Sequence, residues 1–329
     1  METAWFVAVA ALFTGYFMLE GFDFGVGALL PVLGRSDTER RVLINTIGPV
    51  WDGNEVWVIT AAGAMFAAFP AWYATLLSGF YLPMLLILVA LILRGVAFEY
   101  RGKRPDAAWK ARWDAAIVAG SLVPAVLWGA ALATVVRGLP LGADHEYAGG
   151  PLDLLHPYPL LGGLTTAALF VTHGAVFLAL KTAGDVRHRA AALAGRAGPA
   201  AAALTAAFLA WTLATRWSPA AAALAAGSVL ALVAALSANR VRREGRAFLG
   251  TATAIGLLVA TLFTALFPDV LPSTLDPAHS LTVDNAASSP YTLRILSWVA
   301  LVFAPLVLLY QGWTYWVFRR RIAPHNIPS

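Results

Sequence analysis

Nine long apolar runs, separated by shorter polar and basic segments, dominate the pattern of the chain. Each run is close to the ~20 residues that a helix needs to cross the hydrocarbon core of a bilayer. Because backbone groups in lipid must be hydrogen-bonded within their own segment, runs of this length predict α-helices. The predicted spans are residues 5–33, 43–69, 72–98, 115–136, 158–180, 199–215, 219–238, 248–267 and 293–318.

These spans predict an all-α polytopic membrane protein whose nine transmembrane helices form a single transmembrane domain over residues 1–329. Their order favours two four-helix bundles, in residues 1–137 and 158–267, with a peripheral ninth helix in residues 291–318. No internal sequence repeat supports the pairing of the two halves.

The composition excludes a soluble globular protein, since 59% of the 329 residues are hydrophobic, 12% are charged and the mean hydropathy is +0.70. The sequence pI near 9.7 is compatible with nucleic-acid binding, but basic residues that collect in loops beside membrane spans explain it better. We therefore expect no nucleic-acid partner. The chain has no cysteine, which excludes a disulfide framework and thiol chemistry. No basic segment precedes the first apolar run, so we expect no cleavable signal peptide.

The basic residues alternate from one loop to the next. Of the 23 lysines and arginines, 19 follow odd-numbered spans, whereas the segments after even-numbered spans hold only Arg137, Arg216 and Arg294. Lysine and arginine collect on the cytoplasmic side of a membrane. The pattern therefore predicts an N-terminus outside the cell and a C-terminus in the cytoplasm.

Two neighbouring spans each carry a pair of acids three residues apart, Glu20 with Asp23 and Asp52 with Glu55. A carboxylate near the middle of a membrane helix costs about 2.5–3.5 kcal/mol on insertion scales. Acids at this spacing lie on one helix face and repel each other if both are ionised. They must therefore face protein, water or a proton. Together the two pairs predict a hydrated, proton-conducting interior.

The second acid pair allows two interpretations. It lies in the run Trp51-Asp52-Gly53-Asn54-Glu55-Val56-Trp57, where an amide and two indoles accompany the acids. In a continuous span, Asp23 and Asp52 would both lie ~15 Å from the loop of residues 34–42, with Glu20 a turn deeper. Alternatively a helix begins at this run, with Asp52 as its N-cap and Glu55 completing a capping box.

Other residues inside the spans admit both structural and functional interpretations. Arg94, with Glu99 after it, is either an arginine that snorkels to the interface or the partner of an acid on a neighbouring span. Gly21 and Gly25 form a small-xxx-small pair that allows a second helix to approach closely.

His173 is the one histidine well inside a span, where it would ligate haem, join a proton relay or hydrogen-bond a neighbour. Met18, Met65 and Met84 are chemically able to ligate haem, but methionine is also an ordinary packing residue. The two longer loops on the predicted outer side, residues 138–157 with Asp153 and residues 268–291, are expected to be ordinary solvated loops.

Several motifs, in this order and spacing, resemble subunit II of the cytochrome bd quinol oxidases. The resemblance covers nearly the whole chain and is densest in the first 114 residues. Glu20 and Glu55 stand where one member of that family has Asp and Gln. The motifs are Glu-Gly-Phe-Asp-Phe-Gly-Val-Gly (20–27), Asp-Thr-Glu-Arg-Arg (37–41), Trp-Asp-Gly-Asn-Glu-Val-Trp-Val-Ile-Thr (51–60), Ser-Gly-Phe-Tyr (78–81) and Phe-Glu-Tyr-Arg (98–101).

The resemblance implies a multi-pass subunit of a bacterial plasma-membrane oxidase that oxidises quinol at the outer face and reduces O2 to water. It implies a heterodimer with a subunit I that carries haem b, haem d and the quinol site. This chain would then hold no catalytic residue, haem or metal. Ubiquinone or menaquinone, a structural quinone in this chain, small single-helix accessory subunits and membrane lipid are the further ligands and partners implied.

The same resemblance assigns roles to individual residues. Asp23 and Asp52 match the family's route for protons drawn from the cytoplasm. Glu20 is not assigned by the resemblance, but it lies about a turn deeper than Asp23 and is expected from its depth to pass the proton onward. Trp57 matches a tryptophan near the oxygen entrance. The supporting motif comprises Trp51, Asn54, Glu55, Arg94 and Glu99.

Two other functions fit the same acids. A proton-coupled secondary transporter would use them to bind its coupling ion. A purely structural scaffold subunit would only stabilise its partner, so neutralising Asp52 would leave turnover intact.

Overall fold

The computed structural model describes residues 1–150 and 155–327, and these residues are mostly helical. Eight helices of this part, α1 and α5 to α11, are long and apolar enough to cross a membrane. The 18-residue α3 is not among them, so the predicted count of nine is not confirmed. The helices are α1 (Glu2–Leu33), α2 (Asp37–Ile47), α3 (Trp51–Ala68), α4 (Pro70–Gly79), α5 (Tyr81–Tyr100), α6 (Ala107–Arg137), α7 (Pro157–Lys181), α8 (Gly184–Thr215), α9 (Pro219–Arg240), α10 (Glu244–Leu266) and α11 (Pro290–Val317).

The predicted span 43–69 is wrong as one continuous helix, because α2 ends at Ile47 and α3 begins at Trp51. Pro49 lies between them, and a proline inside a helix lacks a donor and clashes with the carbonyl four residues earlier. The alternative interpretation was right that a helix begins here. It was wrong about the cap, since Val50 is the N-cap and makes no side-chain bond. Asp52 lies in the first turn, where its charge complements the helix dipole.

Two other predicted spans also differ from the helices of the structure. The span 72–98 is interrupted at Phe80, which separates α4 from α5. The span predicted to begin at residue 199 belongs to the longer α8, which contains Pro199 in its interior. The grouping of the spans into two four-helix bundles and a peripheral helix stays a prediction.

Helix α1 lies at the centre of the packing and contacts α2, α3, α6, α7 and α10. Its closest approach to α7 is at Gly25 and Gly174, where a methyl group on Gly25 would overlap the carbonyl oxygen of Phe170. Gly21 faces the ring of Phe170 one turn earlier. The small-xxx-small pair on α1 therefore does what its spacing predicts, since it allows two backbones to pack directly.

An ionic cluster joins two basic segments, residues 35–41 and 101–112, at one end of the bundle, which we call the basic end. Asp114, at 7% exposure, accepts hydrogen bonds from Arg40 Nη1 at 2.8 Å and from Arg101 Nε at 2.5 Å. Arg101 Nη2 and Lys110 Nζ also donate to Asp37, at 2.8 Å and 2.7 Å. These contacts hold α2 against the start of α6.

The other basic segments lie at the same end. Arg189 pairs with Glu39 at 2.8 Å, which ties α8 to α2. Glu244, at the start of α10, pairs with Arg187 at 2.6 Å and with Arg321 of the C-terminal segment at 3.8 Å. All five basic segments thus share one end, as the alternation of charge requires.

The two long loops at the opposite end are packed together, which corrects the expectation of ordinary solvated loops. Leu139 N–H donates to the carbonyl of Pro272 at 2.9 Å, and Thr274 N–H donates to the carbonyl of Leu139 at 2.8 Å. Strands β1 (Asp269–Leu271) and β2 (Leu281–Thr282) form a short antiparallel pair. The apolar side chains of this region decide the outcome, since burying them offsets the cost of ordering the loops. Asp153 lies outside the described residues.

Gly25→Ala tests the close contact of α1 and α7. Alanine at an unhindered helical position stabilises a helix by about 0.5–1 kcal/mol relative to glycine. At residue 25 we expect the opposite sign, because the added methyl overlaps the backbone of α7. The midpoint of thermal unfolding of the purified protein is the measurement. Gly245→Ala is the control, since a methyl there meets no atom within 4 Å. Equal stability of both variants would contradict the packing.

Asp37→Asn tests the ionic cluster at the basic end. Burial raises the pKa of Asp37, but hydrogen bonds from Lys110 and Arg101 outweigh it and hold the pKa of this carboxyl below its ordinary value. A depressed pKa contributes stability that is present above the unfolded value, near 3.9, and is lost as the pH falls through the folded value. We expect a small loss of thermal stability in Asp37→Asn at pH 7, because the side chain is 42% exposed. The difference from the unaltered protein should shrink below about pH 4. A difference that grows on acidification would contradict the assignment.

Candidate functional site

A fully buried arginine lies between α1, α3 and α5. Arg94 of α5 has an ion pair with the fully buried Glu20 of α1, and its Nη2 lies 3.3 Å from Glu55 Oε1 of α3. The guanidinium carbon lies 4.6 Å from the ring centroid of Phe24. The interpretation of Arg94 as the partner of an acid on a neighbouring span is confirmed, and the snorkelling interpretation is wrong.

The local sequence explains why a charged residue can be buried at this position. Gly120 of α6 lies against Arg94, and a methyl group there would approach Arg94 Cβ to 2.6 Å. The missing side chain brings the backbones of α5 and α6 close together and directs the arginine toward α1. Glu20 also lies one turn from Asp23 on α1, so both acids face the region between α3 and α5.

The second acid of α1 contacts an amide instead of a cation. Asp23 Oδ2 accepts a hydrogen bond from Asn54 Nδ2 at 2.7 Å, and both residues are fully buried. Asn54 Oδ1 accepts from Gln311 Nε2 at 3.2 Å and from the Tyr315 hydroxyl at 2.7 Å. Because Asp23 lies level with Asn54, the acid pair of α1 meets the first turn of α3 and the last part of α11.

The polar contacts continue to an indole. Trp57 Nε1 donates to Gln311 Oε1 at 2.6 Å, and its ring packs against Gly15 of α1, where a methyl group would overlap it. We define the buried polar cluster as Glu20, Asp23, Asn54, Glu55, Trp57, Arg94, Gln311 and Tyr315. Four helices, α1, α3, α5 and α11, contribute to it.

The cluster contains three carboxyl groups, on Glu20, Asp23 and Glu55, and one guanidinium. Glu20 Oε2 and Asp23 Oδ1 are buried and have no hydrogen-bond partner among the described residues. Arg94 Nε and Nη1 are also buried and have no hydrogen-bond partner among the described residues. A single cation cannot neutralise three carboxylates, of which those of Glu20 and Asp23 are fully buried and that of Glu55 is partly buried. An unpaired charge in a low-dielectric interior is strongly unfavourable. The cluster can therefore accept a proton or water at its free oxygens.

The remaining residues predicted from the sequence lie around this cluster. Asp52 is exposed on α3, two residues toward the basic end from Asn54. The depth argument for Asp52 assumed one continuous helix and fails for that reason, but Asp52 still lies within a turn of the cluster. The ring of Trp51 packs on the ring of Phe98, with centroids 5.2 Å apart. Glu99 is exposed and lies outside the cluster.

His173 is fully buried and hydrogen-bonded at both ring nitrogens. Nδ1 lies 2.6 Å from Thr251 Oγ1, and Nε2 lies 3.1 Å from the carbonyl oxygen of Met18. The ring stacks on Phe248 with centroids 4.8 Å apart. The interpretation as a histidine bonded to its neighbours is thus confirmed, since a ligand nitrogen would have to break one of these bonds. Met65, at 2% exposure, packs in the apolar core.

The sequence reasoning missed Gln311 and Tyr315. A signal was available, because the two lie four residues apart on one face of an otherwise apolar helix. In the described residues no group of three or more histidines and acids is placed to hold a metal ion.

The fold and the cluster together define a class of protein, a polytopic helical membrane protein with an excess of carboxyl groups around one buried arginine. Comparison with known proteins identifies the family. The profile of the family "Cytochrome bd terminal oxidase subunit II" matches residues 1–318. The chain belongs to the cytochrome bd terminal oxidase subunit II family.

Two relatives cover nearly the full chain. The chain is 43% identical to cytochrome bd ubiquinol oxidase subunit 2 of Bacillus subtilis, over 100% of this chain and 98% of the relative. It is 36% identical to cytochrome bd-I ubiquinol oxidase subunit 2 of Escherichia coli strain K12, over 98% of this chain and 95% of the relative. The bd oxidase structure from Geobacillus thermodenitrificans matches with a TM-score of 0.76 and 17% identity, over 95% of this chain and 98% of that one. At that identity, the last match shows the fold alone.

Arg94→Met tests the importance of the buried ion pair. Removing one partner of a buried pair costs about 3–5 kcal/mol, because the other charge is left uncompensated. We expect the variant to accumulate poorly and to unfold at a lower temperature. Arg94→Met with Glu20→Gln should recover part of that stability, since the double change removes both charges. Arg112→Gln, at an exposed arginine, is the control. A single variant as stable as this control would show that Arg94 is dispensable.

Proposed function

We propose that this chain is the haem-free subunit II of a membrane quinol oxidase, which oxidises quinol and reduces O2 to water in aerobic respiration. It pairs with a haem-bearing subunit I as a heterodimer, and haem b, haem d and the quinol site belong to that partner. The names of the Bacillus subtilis and Escherichia coli relatives, each a subunit 2 of a ubiquinol oxidase, support this assignment. Either ubiquinone or menaquinone fits the proposal.

The buried polar cluster is the observation that gives this chain its own part in the reaction. Reduction of O2 to water consumes protons, and these must reach a site inside the membrane. The free oxygens of Glu20 and Asp23 lie in a buried region with fewer cations than carboxyls. Acids inside the membrane commonly form proton relays. We assign proton transfer in this chain to them.

The route begins at the basic end of the bundle, which the charge bias of its loops assigns to the cytoplasm. Asp52 is exposed on the first turn of α3. Glu55 lies one turn further along α3 and has a 17% exposed side chain, so it connects the surface with Arg94. Asp23 and Glu20 follow on α1. The order Asp52, Glu55, Asp23 and Glu20 leads from the surface of this chain into its interior.

The exposed side of α3 and α11 is the surface that we assign to subunit I. In α11, Leu293 is the one buried residue, although the helix is 28 residues long and apolar. Asp52 is exposed on the adjacent side of α3, where direct contact with lipid would be costly. A protein partner over α3 and α11 shields Asp52 from lipid and leaves it open to water from the cytoplasm.

The remaining assignments complete the proposal. The N-terminus lies outside the cell and the C-terminus in the cytoplasm, in the plasma membrane of a bacterium. Trp57, on α3 beside this surface, is the residue that we assign to oxygen access. A structural quinone in this chain and small single-helix accessory subunits are further expected components of the complex.

Asp52→Asn and Asp23→Asn test the proton route in the purified two-subunit complex. Asparagine keeps the shape of aspartate and removes the titrating group, so the complex should assemble with a normal haem spectrum. We expect quinol-driven oxygen consumption to slow by tenfold or more, by analogy with the loss of a positioned proton-transfer group. Asp284→Asn, at an exposed aspartate of the opposite end, is the control and should be unaffected.

The outcomes separate the proposal from its two alternatives. Unchanged turnover in both variants between pH 6 and 9 would identify the chain as a structural scaffold. A purified chain without a second large subunit and without a visible haem spectrum would support the proton-coupled transporter. Slowed turnover in an assembled, coloured complex is the result that only the oxidase subunit predicts.

A further inference from the structure

The hydrogen bonds between Trp57 and Asp23 have a fixed direction, because the first donor cannot act as an acceptor. An indole nitrogen only donates, and Trp57 Nε1 lies 2.6 Å from Gln311 Oε1. Gln311 therefore turns its oxygen to Trp57 and its Nε2 to Asn54 Oδ1, at 3.2 Å. The Tyr315 hydroxyl donates to the same oxygen of Asn54 at 2.7 Å.

The orientation of Asn54 follows from these two donors. Since Oδ1 accepts both hydrogen bonds from α11, Nδ2 points at Asp23 and donates to Oδ2 at 2.7 Å. Asp23 Oδ2 is thereby committed as an acceptor. Asp23 Oδ1 is buried and has no hydrogen-bond partner among the described residues. The same holds for Oε2 of the neighbouring Glu20. Protonation of Asp23 is then favoured on Oδ1, because a proton on Oδ2 would weaken the hydrogen bond from Asn54.

We propose that Trp57, Gln311 and Tyr315 are positioning residues that determine which oxygen of Asp23 takes up the proton. They act through Asn54, whose amide they hold in one of its two orientations. This inference rests on the proposed proton-uptake function. It gives Trp57 a role in proton transfer in addition to oxygen access, and it gives α11 a role beyond packing.

The charges around Asp23 allow a clean test. The titratable and charged groups that face it are Glu20 on its own helix, Glu55 of α3, Arg94 of α5 and the Tyr315 phenol of α11. Tyr315→Phe and Gln311→Met each delete hydrogen-bonding atoms and change no charge at the pH of the assay. A change in pH dependence then reports the orientation of Asn54 and not a new Coulomb interaction.

The measurement is the pH profile of quinol-driven oxygen consumption by the purified two-subunit complex. A donor N–H stabilises the charged form of a carboxyl, so losing the fixed orientation of Asn54 should move the profile to higher pH by about one unit. We expect this shift in Tyr315→Phe and in Gln311→Met. Tyr81→Phe is the control, because it deletes the same hydroxyl from a 64% exposed tyrosine at the start of α5, outside the surface that we assign to subunit I.

Asp23→Asn separates the inference from the function on which it rests. If Asp23→Asn slows turnover but neither α11 variant shifts the profile relative to Tyr81→Phe, the positioning role is wrong and the proton route stands. If Asp23→Asn leaves turnover unchanged, the route itself is wrong and the inference falls with it. Adding Tyr315→Phe to Asp23→Asn should produce no further change in the profile, since the group through which Tyr315 acts is gone. An additive shift in that double variant would overturn the proposal.

Discussion

The buried ion pair of Arg94 and Glu20 is the constraint on which the packing of α1, α3 and α5 depends. A guanidinium removed from water needs a carboxylate partner and further polar contacts, because the cost of desolvating both ions is several kcal/mol each. Satisfying Arg94 brings α1, α3 and α5 to one point. Gly120 lets α5 and α6 approach behind it, and Gly25 lets α1 and α7 approach on the other side. The close helix contacts and the buried charge therefore support each other.

Different interactions stabilise the two ends of the bundle. At the basic end, ion pairs connect segments that are far apart in the sequence. The pair of Arg40 and Asp114, for example, connects α2 with α6. At the opposite end, apolar loop residues such as Leu139 and Leu271 are buried against each other. Polar pairing organises one end and apolar burial the other. This division agrees with the charge bias, which predicts that the basic end lies in the cytoplasm.

Membership of the cytochrome bd terminal oxidase subunit II family and the geometry of the cluster point to the same chemistry. The chain, whose haems we assign to the partner subunit, carries three carboxyls around one guanidinium, with two oxygens free of partners among the described residues. The proton transfer that we propose accounts for that excess of acid, whereas a scaffold has no need of it. Helix α11 connects to the cluster through side-chain hydrogen bonds and buries little apolar surface in this chain. Its position thus depends on the site that it serves and on the partner that we assign to its exposed side.

Hydropathy and charge along the sequence determined the helical membrane class, the acid pairs and the common side of the basic segments, because these depend on local composition. The motifs also determined the family. The break between Ile47 and Trp51 was within reach of local reasoning, since Pro49 marks it, but a continuous apolar run concealed it. Only the tertiary structure decided that Arg94 pairs with Glu20 and that α11 contacts Asn54. Those contacts join residues 74 and 261 positions apart, and they follow from how helices pack, which no local pattern encodes.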